Sequence, residues 1–100
     1  MVQATTPTFR LTLPTSVDLS AAENIYFTLK QGSTVITKSG DYVSYQDNVV
    51  VVSLSQYDTV GLAVGRASIQ LNWTYDDGTR ACSKIVSVNI TENLLKEVVE

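Results

Sequence analysis

Arg66-Ala67-Ser68-Ile69-Gln70-Leu71-Asn72-Trp73-Thr74-Tyr75, then Asp76-Asp77-Gly78-Thr79, then Arg80-Ala81-Cys82-Ser83-Lys84-Ile85-Val86-Ser87-Val88-Asn89-Ile90, is the stretch that decides the fold. Ala67, Ile69, Leu71, Trp73 and Tyr75 alternate with polar residues, which is the period-2 mark of a strand with one buried face. Asp77-Gly78 suits the positive φ angles of a two-residue hairpin loop. With that loop, Trp73 is expected opposite Cys82, Leu71 opposite Lys84, Ile69 opposite Val86 and Ala67 opposite Val88. A slip of one residue would turn one apolar set into water, so pattern and turn chemistry agree on this register.

Two more hairpins follow from the same logic. Thr8 to Leu13 alternates Phe9, Leu11 and Leu13 with polar partners, and Pro14 ends it, as expected of an edge strand. Thr15 to Asn24 reads as a loop with a helical turn near Ala21. Ile25 to Gln31 alternates again, and Gly32-Ser33 reverses the chain so that Leu29 meets Ile36 while Val35 points outward. Tyr42 to Leu54 turns at Asp47-Asn48, pairing Tyr45 with Val50 and Val43 with Val52. Ser55 and Asp58 have the spacing of a capping box and mark one helical turn. Gly61 and Gly65 then allow a bend into the last hairpin. About seven antiparallel strands in 100 residues imply an all-β fold, an immunoglobulin/fibronectin-III-like β-sandwich, with a small barrel as the competing architecture.

The period changes near the C-terminal end. Leu94, Leu95, Val98 and Val99 fall on one face of a helix, so residues 1–92 read as the sandwich domain and 93–100 as an apolar tail, helical or disordered. One hundred residues suffice to bury roughly 65% of the unfolded chain's surface without metal or disulfide. The longest apolar run, Val49 to Val52, is far shorter than the roughly 20 residues of a membrane helix. Met1 to Thr8 lacks signal-peptide features, which points to cytoplasmic synthesis.

Composition also narrows function. Seven basic against ten acidic residues give a formal net charge of −3, and the basic ones are scattered along the chain, so no nucleic-acid partner is expected. The chain has no His, which removes the commonest general base and metal ligand. Its single cysteine, Cys82, cannot form an internal disulfide and is expected buried beside Trp73 as a small hydrophobe. Asp41, Asp47, Asp58, Asp76 and Asp77 sit at turns, where Asp serves the local backbone. A calcium site of Asp47, Asp76 and Asp77 would need their loops to meet and has no recognised spacing behind it. Asn72-Trp73-Thr74 and Asn89-Ile90-Thr91 match a glycosylation sequon, as a Thr-rich chain does by chance. No enzyme, cofactor or metal is therefore expected.

Two surfaces remain. Val49 and Val51 point away from the core, with Val35 beside them on a neighbouring strand; the four-valine run is either a strand buried on both faces or an apolar patch that, with Leu94, Leu95, Val98 and Val99, forms the expected interaction surface for a protein partner or for self-association. The alternative is a carbohydrate-binding module, with Tyr26, Tyr42, Tyr57 and Tyr75 as a sugar-stacking platform.

Thr6-Pro7-Thr8-Phe9-Arg10-Leu11-Thr12-Leu13-Pro14, Ile25-Tyr26-Phe27-Thr28-Leu29-Lys30-Gln31-Gly32 and Val52-Ser53-Leu54-Ser55-Gln56-Tyr57-Asp58-Thr59 resemble segments of small all-β proteins encoded by phages and prophages of Gram-positive bacteria. The resemblance covers most of the chain. It implies a virion-associated or accessory structural role, without catalysis and with no site residues to carry over.

Overall fold

The computed structural model describes residues 1–95, which contain eight strands. A three-stranded sheet contains β1 (Thr8–Thr12), β4 (Val43–Gln46) and β5 (Val49–Ser53) in the order β1-β5-β4. The larger sheet contains β2 (Ala22–Gln31), β3 (Thr34–Lys38), β6 (Gly65–Tyr75), β7 (Arg80–Cys82) and β8 (Val86–Ile90). Its order is β3-β2-β6, with β7 and β8 both along the far edge of β6. Every strand pair is antiparallel. The sheets face each other across Phe27, Leu29, Ile69, Leu71, Val50 and Val52, all buried, so the molecule is a sandwich and not a closed barrel.

Counting β7 and β8 as one interrupted strand gives seven. The order then equals that of an immunoglobulin-type sandwich with its first strand set aside: B-E-D in one sheet and C′-C-F-G in the other. The place of that first strand is only partly taken. Met1–Gln3 runs parallel to the end of β8, held by Met1 N donating to the Asn89 carbonyl (2.9 Å), Thr91 N to Met1 (2.7 Å) and Gln3 N to Thr91 (3.1 Å). Ala4, with φ +53°, then turns the chain toward β1 in the other sheet.

Most of the expected elements are present. The Gly32-Ser33 hairpin pairs Leu29 with Ile36 and leaves Val35 outward. The Asp47-Asn48 hairpin pairs Tyr45 with Val50 and Val43 with Val52. A 3-10 turn spans Leu19–Ala21, capped by Asp18, and β2 starts at Ala22, three residues earlier than the alternation suggested. The single helical turn α1 (Gln56–Thr59) carries the Ser55/Asp58 capping box. Thr79 closes the last turn opposite Tyr75, not opposite Asp76. Tyr75 N donates to the Thr79 carbonyl (2.9 Å), leaving a three-residue loop, Asp76-Asp77-Gly78, with Gly78 at φ +87°.

That turn corrects half of the expected register. β7 pairs Trp73 with Ala81 and Asn72 with Cys82, so Trp73 does not face Cys82 and Leu71 does not face Lys84. An extra residue between Ser83 and Val86 then restores the expected pairs Ile69–Val86 and Ala67–Val88. The longer loop and the bulge are two offsets of one residue that cancel. Ser83 repairs the interrupted ladder: its amide donates to the Leu71 carbonyl and its Oγ accepts from the Leu71 amide, both at 2.9 Å. Cys82 consequently lies on the outer face and is exposed, the reverse of the burial expected for it.

Candidate binding groove between the sheets

A strand's main-chain groups alternate between its two neighbours. In β1 the residues facing β5 are fixed by Leu13 N donating to Asn48 (2.8 Å) and Leu54 N donating to Pro7 (2.9 Å), which assigns Pro7, Phe9, Leu11 and Leu13 to that side. Thr8, Arg10 and Thr12 therefore present N–H and C=O to the opposite edge, where no strand pairs with β1 among the described residues. Side chains alternate with the same period, so Leu11 and Leu13 point into the sandwich beside this open edge.

The other lip is the β7–β8 edge. Its inner face carries Ala81 and Val86, and the bulge at Lys84-Ile85 pulls the strand away from regular pairing. Between the lips lies a groove of about 730 Å³, floored by Ile69, Leu71 and Trp73 and walled by Leu11, Leu13 and Val17. Val86 belongs to the core-facing set, yet it is 46% exposed because nothing from the three-stranded sheet reaches over it. Trp73, 3% exposed, donates its indole Nε1 to Tyr75 Oη at 2.9 Å, so its polar atom is satisfied within the floor. Among the described residues, Lys84 is the only charged one lining the groove.

Of the residues expected to form one interaction surface, Val35 is separated from Val49 and Val51. Val49 and Val51 are half-buried on the outer face of the three-stranded sheet, around a shallow depression shared with Arg10, Ser44, Tyr45 and Gln46. Val35 is 55% exposed but sits on β3, in the other sheet and facing the other way, so it is not beside them. Leu94 and Leu95 are 92% and 50% exposed just past Asn93, whose Nδ2 donates to the Gln3 carbonyl at 3.0 Å. Val98 and Val99 lie outside the described residues. The tyrosines are also dispersed. Tyr26 is on the outer face of the larger sheet, Tyr42 lies under Lys38 Nζ (4.7 Å to the ring centroid), Tyr57 is on α1, and Tyr75 is turned inward to Trp73.

Asp58 and Asp77 serve their own turns. Asp77 accepts from Thr79 Oγ1 (2.7 Å) and Thr79 N (2.9 Å), and those bonds lower its pKa. Asp58 accepts from Ser55 N (2.8 Å) and pairs with Lys38 Nζ (2.9 Å). Burial pushes the Asp58 carboxyl up, but the Lys38 and Ser55 donors outweigh it and hold the group below its ordinary value. Among the described residues, no three carboxylates or thiols come together as a metal ion would require. No helix among them is long and apolar enough to cross a membrane.

The groove was not anticipated from the sequence, although a signal for it exists. The simple register puts Lys84 on the core face between Cys82 and Val86, and a lysine there contradicts a buried strand. No protein-family model matches the chain, and no curated protein matches it significantly.

Proposed function

We propose that this chain is a non-enzymatic protein-contact module, made in the cytoplasm and serving as a structural component of a phage or prophage particle. The observation that carries the contact reading is the groove: a core-facing residue, Val86, left 46% exposed above an apolar floor. Apolar surface concentrated in one concave place gains most from a partner that covers it. The particle assignment is supported by the resemblance of three segments to phage-encoded proteins. Against catalysis stands the use of Asp58 and Asp77 by their own turns.

A photo-crosslinking residue at Val86 or at Val51, with exposed Thr37 as control, tests the contact reading in cells that make the chain. Discrete protein adducts from either position and none from position 37 are expected. Absence of any adduct would overturn it. Saturable binding to cell-wall polysaccharide, lost on Tyr26→Ala or Tyr42→Ala, would favour the carbohydrate module instead. The particle reading fails if the chain does not co-sediment with purified phage particles.

A further inference from the structure

We infer that the open half of the groove takes an extended peptide from a protein partner, laid beside β1 as an added strand, with apolar side chains at alternate positions and an acidic residue near Lys84. The inference rests on the contact reading above and specifies its chemistry.

Three features select a strand over other occupants. The first is the lip itself: Arg10 and Thr12 present unpaired main-chain donors and acceptors along the open edge of β1, with Thr12 in the groove lining, and an added extended backbone satisfies both at the strand repeat. The second is the floor. A strand paired to β1 turns every second side chain inward beside Leu11 and Leu13, directly over Leu71, Trp73 and Val86. The third is charge. Among the described residues Lys84 is the only ionic one lining the groove, so a carboxylate at the end of the incoming strand is complementary and a lysine is not.

The same features disfavour a second copy of this chain. Pairing β1 with its own copy about Arg10 would set two guanidinium groups opposite each other, and Pro7 and Pro14 bracket the strand and shorten any such ladder. The segment Leu94–Glu100 is acidic, but its apolar residues come in adjacent pairs, so either face of an extended form mixes charge with hydrocarbon.

Trp73 is the only tryptophan and lies in the groove floor, so its emission reports occupancy directly. The probes are capped octapeptides of the form Glu-x-Thr-x-Thr-x-Thr-Glu, with x drawn from Val, Ile and Leu, titrated into the full chain. At least one is expected to shift Trp73 emission saturably. N-methylation of its alternate amides, which deletes the main-chain donors and leaves the side chains in place, should weaken binding by at least about tenfold. Replacing its glutamates by lysines should also weaken it, as should Val86→Lys. If no peptide of the set alters Trp73 emission, or the N-methylated form binds equally well, strand addition is overturned. Stronger binding by a peptide of residues 93–100 would likewise overturn it, placing this chain's own segment in the groove. Protein crosslinks from position 86 combined with inert peptides would leave the contact reading standing and remove only the added strand.

Discussion

The two seams of this sandwich are closed by different means. On the β3/β4 side the chain itself crosses from sheet to sheet through Ser39 and the 3-10 turn Gly40–Tyr42. Lys38 at that crossing is held between the Tyr42 ring and the Asp58 carboxylate. On the β1/β8 side the crossing segment, Ala4–Pro7, covers one end only, and the remaining half is the apolar groove. Both seams border the same core, so the difference is not one of hydrophobic content. A covalent crossover ends the exposure of a sheet edge in one place; without one, the edge keeps its unpaired main chain and the core beneath stays reachable.

The first way to break this comparison is at the floor. If Trp73 belongs to the core as fully as its 3% exposure indicates, Trp73→Ala should lower unfolding stability by roughly 3 to 5 kcal/mol in a denaturant titration. A loss below about 1 kcal/mol would mean that the groove extends through the floor and that the two sheets are barely joined there.

Gly78 and Gln3 give the next effects, each of about 1 to 3 kcal/mol. Gly78→Val forces a β-branched residue to φ +87° and should destabilise the hairpin that carries the β7 lip. Unchanged stability would show that the three-residue loop is not fixed. Gln3→Ala tests the closed end. The Gln3 side chain is buried, donates Nε2 to the Leu62 carbonyl and accepts from Asn93 N at Oε1 (3.5 Å), so truncation leaves the buried Leu62 carbonyl unpaired. The closed half should loosen, and hydrogen exchange at Thr91 should accelerate because its amide is bonded to Met1. Val86→Lys at the open end should change stability by less than about 0.5 kcal/mol, since water already reaches that side chain. Equal costs for Gln3→Ala and Val86→Lys would erase the distinction between the halves.

What the sequence made legible is where turn chemistry and side-chain period agree. Gly32-Ser33 and Asp47-Asn48 each fix one loop length, and alternation on both flanks leaves one register, which the pairs Leu29–Ile36 and Tyr45–Val50 realise. Asp76-Asp77-Gly78 is compatible with either two or three loop residues. Alternation on β6 is perfect, so it cannot discriminate between them; the deciding information sits on the other strand, where Lys84 fits no core-facing position. Resolving that conflict requires a bulge, and a bulge moves Cys82 outward and Ala81 inward together. The expected place of Val35 beside Val49 and Val51 was missed for another reason. Period-2 alternation tells which face of a strand a residue is on, but not which sheet the strand joins, so Val35 could not be separated from Val49 and Val51 without the topology. The groove depends on that same non-local choice, because it exists only where β1 and β7–β8 end up as facing edges.

The smallest effect concerns the closed β3/β4 seam and is read through pH. The Asp58 carboxyl is held below its ordinary value in the folded chain, chiefly by Lys38 and Ser55 working against burial. A depressed folded pKa means that the unfolded chain binds the proton more readily, so the ion pair's contribution is complete above the unfolded value, about 3.9, and is lost as pH falls through the folded one. Stability of the parent chain should therefore decline below about pH 4. Lys38→Met removes the strongest partner, raises the Asp58 carboxyl toward its ordinary value, and should flatten this acid limb while lowering the neutral plateau slightly. Asp77, lowered chiefly by the Thr79 hydroxyl and amide, still contributes its own acid-dependent loss in that variant. An acid limb unchanged by Lys38→Met would show that the β3/β4 crossing holds through its backbone and not through the ion pair, and the contrast between the two seams would then rest on chain connectivity alone.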